Sequence, residues 1–181
     1  MEMKLLKAKV DRAIHRLFKC DEYILKIDIN ERTISHKLAI YLQFEFDDWD
    51  VDCEYNRNWN EKKQIQVAKQ LSSIYPTVPP DDDHAISVYP DIIIHHRKTR
   101  DNLLAVEVKK TSNTIPSEYD LWKLSKYRHQ LGYQHGLFLR VITSSETIGI
   151  GEMLWSEEIS AEEYQRIQLV VKEMFQRRRQ G

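Results

Sequence analysis

Two apolar runs in tandem constrain the fold of this chain most: Ile92-Ile93-Ile94 and Leu103-Leu104-Ala105-Val106, separated by the polar stretch Arg97 to Asn102. Both runs are rich in β-branched or bulky apolar residues, and the intervening residues suit a turn, so the pair reads as a β-hairpin over Ile86–His95 and Leu103–Lys109. Pro90 interrupts the first strand. Three consecutive isoleucines leave no face for water, which is the pattern of a central strand covered on both sides. That requirement rules out a one-layer sheet and asks for helices above and below it.

The rest of the chain supplies them. Leu6, Val10, Ile14 and Leu17 recur at helical spacing and predict a helix over 3–20. Asn30 is a good N-cap for a second helix to about Phe44, with Ile34, Leu38, Tyr41 and Leu42 on its apolar stripe. Glu31 lies in its first turn near the buried face, an uncommon place for a charge. Val51 to Tyr55 alternates like a short strand, 61–74 reads as a helix, and the proline- and aspartate-rich 75–84 as a loop. Ser117 opens a helix through about Gln130, Leu137–Ile142 is a further strand, and a Ser160-x-x-Glu163 capping box starts a last helix. The expected fold is one α/β domain over 1–181, with a central mixed sheet of four to five strands flanked by helices.

With 27 basic and 28 acidic residues the net charge is −1, which excludes a general cationic binder of nucleic acid but not a local basic groove around an acidic centre. Cys20 and Cys53 match no zinc spacing and form no disulfide framework, which points to a reducing compartment. No apolar run approaches the ~20 residues of a membrane span, and the start MEMKLLKAKV does not resemble a secretory signal. A cytoplasmic chain with no membrane association is expected.

The chemistry sits at the end of the hairpin. Residues two apart on a strand share a face, so Glu107 and Lys109 project together from the otherwise apolar LLAVEVK, where such charges are costly without a partner. The hairpin brings Asp91 toward them. Two carboxylates, with the Val108 carbonyl between the charged pair, suit a hard cation such as magnesium, and manganese can substitute. Lys109 is placed to orient a water or to stabilise a phosphate, and Glu31 to reach the site through a second metal or an ordered water.

The Pro90-Asp91 pair, fifteen intervening residues and Glu107-Val108-Lys109 resemble the PD-(D/E)XK nuclease superfamily, also called the restriction-endonuclease-like fold. The text from Tyr89 to Asn113, with Asn30 to Leu38 and Val51 to Arg57 upstream, is similar to a bacterial subgroup of that superfamily known mainly by sequence. The resemblance covers about 30–142, leaving helical additions at both ends. It implies a restriction-endonuclease-like sheet, Asp91 and Glu107 as metal ligands, Lys109 as the catalytic lysine and Glu31 as the acidic residue of the first core helix. The function implied is metal-dependent phosphodiester hydrolysis of nucleic acid, DNA before RNA, by an endonuclease or exonuclease. The alternative is an idle nucleic-acid-binding or assembly module on the same fold. A homodimer would serve cleavage of both strands, by analogy alone.

Secondary candidates are weaker. Lys110, Lys123, Lys126 and Arg128 suit phosphate contacts but also an ordinary solvated helix face. Gln130 and Tyr133 resemble a glutamine–tyrosine pair that follows E-x-K in some relatives, with imperfect spacing. Glu54, and less so Asp52, could extend the acidic cluster. His84, His95 and His96 are expected to be solvated or hydrogen-bonded rather than zinc ligands, with His95 a neighbour of the site. Trp49, Trp59, Trp122 and Trp155 are expected in the core or a lid before base stacking, and the tail FQRRRQG either touches phosphate or frays.

Overall fold

A computed structural model describes residues 1–55, 57–58, 61–62, 64–66, 85–87, 89–144 and 147–177. Its centre is a five-stranded sheet of β1 (Asp50–Cys53), β2 (Ile92–His95), β3 (Asn102–Lys110), β4 (Tyr133–Ile142) and β5 (Gly149–Trp155). The strands lie side by side in chain order. All neighbours are antiparallel except β3 and β4, which are parallel. A parallel step needs a long crossover, and α4 (Glu118–Leu131) provides it.

Among the described residues the helices are α1 (Met3–Cys20), the short α2 (Glu22–Lys26), α3 (Glu31–Glu45), α4 and α5 (Ala161–Arg177). The apolar stripe of α1 is buried as its spacing requires, at Leu6, Val10, Ile14 and Leu17. The Asn30 side chain caps α3 by accepting from the Thr33 N–H at 2.9 Å, one of the donors a helix start leaves unpaired. Gly132, at φ 72°, ends α4 in a left-handed turn, where a glycine carries no Cβ penalty. The Ser160 Oγ accepts from the Glu163 N–H at 3.1 Å, half of the expected capping box.

The sheet separates two cores. On one face Ile92, Ile94, Leu104, Val106 and Val108 pack with Leu6, Leu17, Ile34 and Leu38 of α1 and α3. On the other Ile93, Ala105 and Phe138 pack with Leu121, Leu124 and Tyr127 of α4 and with Ile167, Val171 and Phe175 of α5. The isoleucine run thus feeds both cores alternately, the two-sided burial that its composition demands.

Two local expectations are corrected, and the strand count falls at the upper end of the four to five expected. Within the helix expected over 61–74, Glu61–Lys62 instead pairs with Arg57–Asn58, and Gln64–Gln66 with Ala85–Ser87, as short antiparallel ribbons. The remainder of that expected helix, the 75–84 loop, Trp59, His84 and the final RRQG lie outside the described residues. The strand expected from Leu137 begins at Tyr133. A fifth sheet strand follows Ile142, so the sheet extends beyond the segment that carries the family resemblance. Among the described residues no helix is long and apolar enough to cross a membrane.

Candidate functional site

The hairpin is deliberately unequal in length. The β2–β3 ladder stops at Ile92 paired with Val106, whereas β3 continues to Lys110. Beyond Val106 the edge of β3 therefore lacks a strand, and two carboxylates stand in its place. Asp91 Oδ2 accepts from the Val108 N–H at 2.7 Å, and Glu31 Oε1 accepts from the Lys110 N–H at 2.8 Å. Glu31 is also held by the Asn113 amide, at 2.8 and 3.0 Å. In an extended strand the N–H and C=O of one residue face the same side, so the Val108 carbonyl is turned toward this edge. The cleft over the edge has a volume of about 410 Å³ and is lined by Glu31, Ser35, Cys53, Glu54 and Asp91 among others. Glu54, in a left-handed conformation at φ 48°, donates its N–H to the Asp91 carbonyl at 3.2 Å and takes Arg32 at 2.7 Å.

Glu107 and Lys109 project from β3 into the α4 layer as their spacing predicts, and they are 2% and 5% exposed. Ionic groups this deep cost several kcal/mol each without partners. The partners come from the first turns of α4. Lys123 reaches Glu107 Oε2 at 2.7 Å and Asp120 Oδ1 at 3.0 Å, and Lys109 pairs with Asp120 Oδ2. Asp120 is itself buried. It was missed in the sequence because an acidic residue in a helix's first turn is ordinarily a solvated partner of the helix dipole. The signal that would have found it is its position three residues before Lys123, beside the inward Leu121 and Leu124.

One oxygen of this network stays unmet. Glu107 Oε1 is fully buried without a hydrogen-bond partner. Burial raises Glu107 to about 8, reinforced by the negative charges of Asp91 and Asp120 and opposed by Lys123. Burial likewise raises Asp91, with Lys123 and the Val108 N–H opposing it and Asp120 and Glu31 reinforcing it. Burial alone would lower Lys123, but Glu107, Tyr127 and Asp120 hold it well above its ordinary value. Tyr127, buried beside Glu107, is raised by burial and by the charge and hydrogen bonding of that carboxylate, although its hydroxyl and Glu107 Oε1 do not reach full hydrogen-bond geometry. Three carboxylates and two ammoniums share the pocket, leaving it short of positive charge.

Among the described residues no three His, Cys, Asp or Glu side chains converge closely enough to hold a metal on side chains alone. Magnesium does not need that; it is commonly held by one or two carboxylates with water completing the shell. The unmet Glu107 Oε1, the second oxygen of Asp91 and the Val108 carbonyl are hard oxygen donors in the right number for such an ion. The residues present fit a divalent cation. Glu31 lies against the same strand, but its carboxylate is engaged by Lys110 and Asn113.

The remaining candidates are placed apart from this centre. Lys110 pairs with Asp28 at 3.0 Å. Asp28 also accepts from Thr143 at 2.6 Å and Ser112 at 3.1 Å. Lys123 is turned inward rather than toward solvent. Gln130 is exposed and lies seven residues along α4 from Lys123, a rise of about 10 Å toward the far end of β3; Tyr133 is buried at that end. His95 closes β2, four residues and about 13 Å from Asp91, and bonds Asp52 at 2.9 Å instead. Trp49 stacks on His96 at 4.1 Å, and Trp122 and Trp155 are buried. No family model matches this chain, nor does any curated protein or solved structure.

Proposed function

We propose that the chain is a divalent-metal-dependent nuclease of the PD-(D/E)XK type, hydrolysing phosphodiester bonds in DNA before RNA. The observation that carries the reading is the oxygen left unmet on Glu107 at the end of a buried strand, beside Asp91 and a turned-out carbonyl. A fold does not ordinarily bury an unpartnered carboxylate oxygen unless something else is meant to occupy it.

Asp91, Glu107 and the Val108 carbonyl would hold magnesium, or manganese in its place. The bound ion would supply Lewis-acid charge at the phosphate and make a coordinated water acidic. The residues themselves do the rest. Asp91 and Glu31 tie down the N–H groups of Val108 and Lys110, which fixes the strand end that presents Glu107 and Lys109. Asp120 holds the Lys109 ammonium beside the ligand pair, where it can donate to a phosphate oxygen as negative charge grows there.

One observation favours the alternative of an idle binding module: both lysines of the pocket are engaged in ion pairs. The test separates the two. Purified protein is incubated with supercoiled plasmid, single-stranded DNA and RNA, with magnesium, manganese or chelator. Metal-dependent cleavage of at least one substrate, reduced at least about a hundredfold in Lys109→Ala, is the expected result. Binding without turnover in every metal would favour the idle module. Cleavage that persists unchanged in Lys109→Ala would remove this site from the reaction.

A further inference from the structure

We propose that Lys123 is an internal stand-in for the metal: its ammonium occupies the cation's place on Glu107 and sets how tightly the site takes a divalent ion. The inference rests on the function proposed above. Lys123 belongs to α4, outside the strand pair that carries the carboxylates and Lys109, yet its ammonium bonds the Glu107 carboxylate at 2.7 Å. Its side chain is 16% exposed and lies over the Tyr119 ring at 5.3 Å, so it is packed into the pocket rather than resting on the surface. Lys109 differs: its ammonium is engaged by Asp120 and does not touch a ligand carboxylate.

Two like charges cannot share Glu107 comfortably. A dication arriving at Oε1 meets an ammonium seated on Oε2 of the same carboxylate, and their repulsion is weakly screened in a buried site. Asp120 supplies the way out. Its Oδ1 already accepts from Lys123 at 3.0 Å from one helical turn away, so the lysine can leave Glu107 and still be paired. Asp120 is then the residue that receives the displaced charge. Lys123 offsets part of the carboxylate charge without metal, and the ion must compete with a tethered cation to enter.

Manganese binding by titration calorimetry, read without any substrate, tests this with four proteins: wild type, Lys123→Met, Lys123→Arg and Asp91→Asn. Lys123→Met keeps the length of the side chain and removes the charge, and it should bind manganese at least about tenfold more tightly than wild type. Lys123→Arg keeps the charge and should bind no more tightly than wild type. A Lys123→Met protein that binds manganese equally or more weakly, while Asp91→Asn abolishes the site, overturns the role given to Lys123 and leaves the metal site standing. Absence of a saturable, Asp91-dependent site in wild type and all variants overturns the proposed function together with this inference. Should Lys123→Met fail to fold, the nitrogen-15 ammonium signal of Lys123 in wild type decides. Magnesium should shift it in step with site occupancy, and a signal that saturating magnesium leaves in place overturns the proposal.

Discussion

The two ends of the β2–β3 hairpin each carry a cluster of charges, and they are built on opposite principles. At the end near His95, Asp52 receives His95 and Arg97 Nε at 2.9 Å on one oxygen and the Arg97 terminal nitrogen on the other. Burial raises Asp52, but the hydrogen bonds and charge of His95 and Arg97 outweigh it and hold the carboxyl below its ordinary value. At the end near Asp91, Glu107 has Lys123 on one oxygen and no well-formed hydrogen bond on the other, and its carboxyl is pushed up to about 8. The first cluster is satisfied by its own residues and serves the fold. The second leaves one carboxylate oxygen without a well-formed hydrogen bond and carries more carboxylates than ammoniums. Unmet polarity that the surroundings enforce is a mark of a site where structure has been traded for function.

The largest expected effect that would break this comparison is on activity. Lys109→Ala should cost at least about a hundredfold in cleavage, whereas Arg97→Ala should leave cleavage within a few-fold, because Arg97 serves Asp52 and Asp50 at the opposite end of the hairpin. Comparable losses in both variants, measured as initial rates on one DNA substrate, would mean that the ends of the hairpin do not divide the labour as described.

The next contrast is in stability. Asp52→Asn strips a charge that two partners are aimed at, and it should destabilise by about 1–3 kcal/mol in urea titrations. Glu107→Gln replaces a buried carboxyl that is only half paired and costly to ionise, with Lys123 still able to bond Asp120. It should stabilise the chain, by about 0.5–2 kcal/mol. Two substitutions of the same kind should therefore move the urea midpoint in opposite directions. A shift of the same sign in both would erase the distinction.

A smaller effect sharpens it through pH. The folded Asp52 carboxyl is held below its unfolded value of about 3.9, so its stabilisation is fully present above that value and is lost as pH falls through the folded one. The stability gap between wild type and Asp52→Asn should be constant from about pH 5 to 7 and should narrow below about pH 4. A gap that closes near neutrality instead would assign it to a group other than Asp52. The smallest effect belongs to the helix that delivers Glu31. Asn30→Ala removes the bond to the Thr33 N–H and should cost about 1 kcal/mol, read by the same titration.

The sequence made the incomplete cluster half legible. Strand periodicity put Glu107 and Lys109 on one face, and the hairpin put Asp91 beside them, because both follow from backbone geometry alone. Asp120 and the inward turn of Lys123 were not legible. Their burial is decided by how α4 lies on the sheet, and a helix that carries Lys123, Lys126 and Arg128 can show any of them to water. For the same reason the partners of His95 were hidden: Asp52 comes from the edge strand β1, 43 residues earlier, in a register that no local pattern reveals. The fifth strand escaped because Gly149 and Gly151 break the alternation of Ile150, Met153 and Trp155. The helix expected over 61–74 rested on Ile65, Val67 and Leu71, a pattern too loose to tell a strand from a helix.

Anomalous diffraction from crystals grown in manganese bears most directly on the claim that this hairpin end is built around a missing cation. The account predicts a single strong peak within about 2.2 Å of Glu107 Oε1, an Asp91 oxygen and the Val108 carbonyl, absent from Asp91→Asn crystals grown alongside. Manganese bound only elsewhere, or a Glu107 oxygen that stays bare at saturating metal, would contradict it.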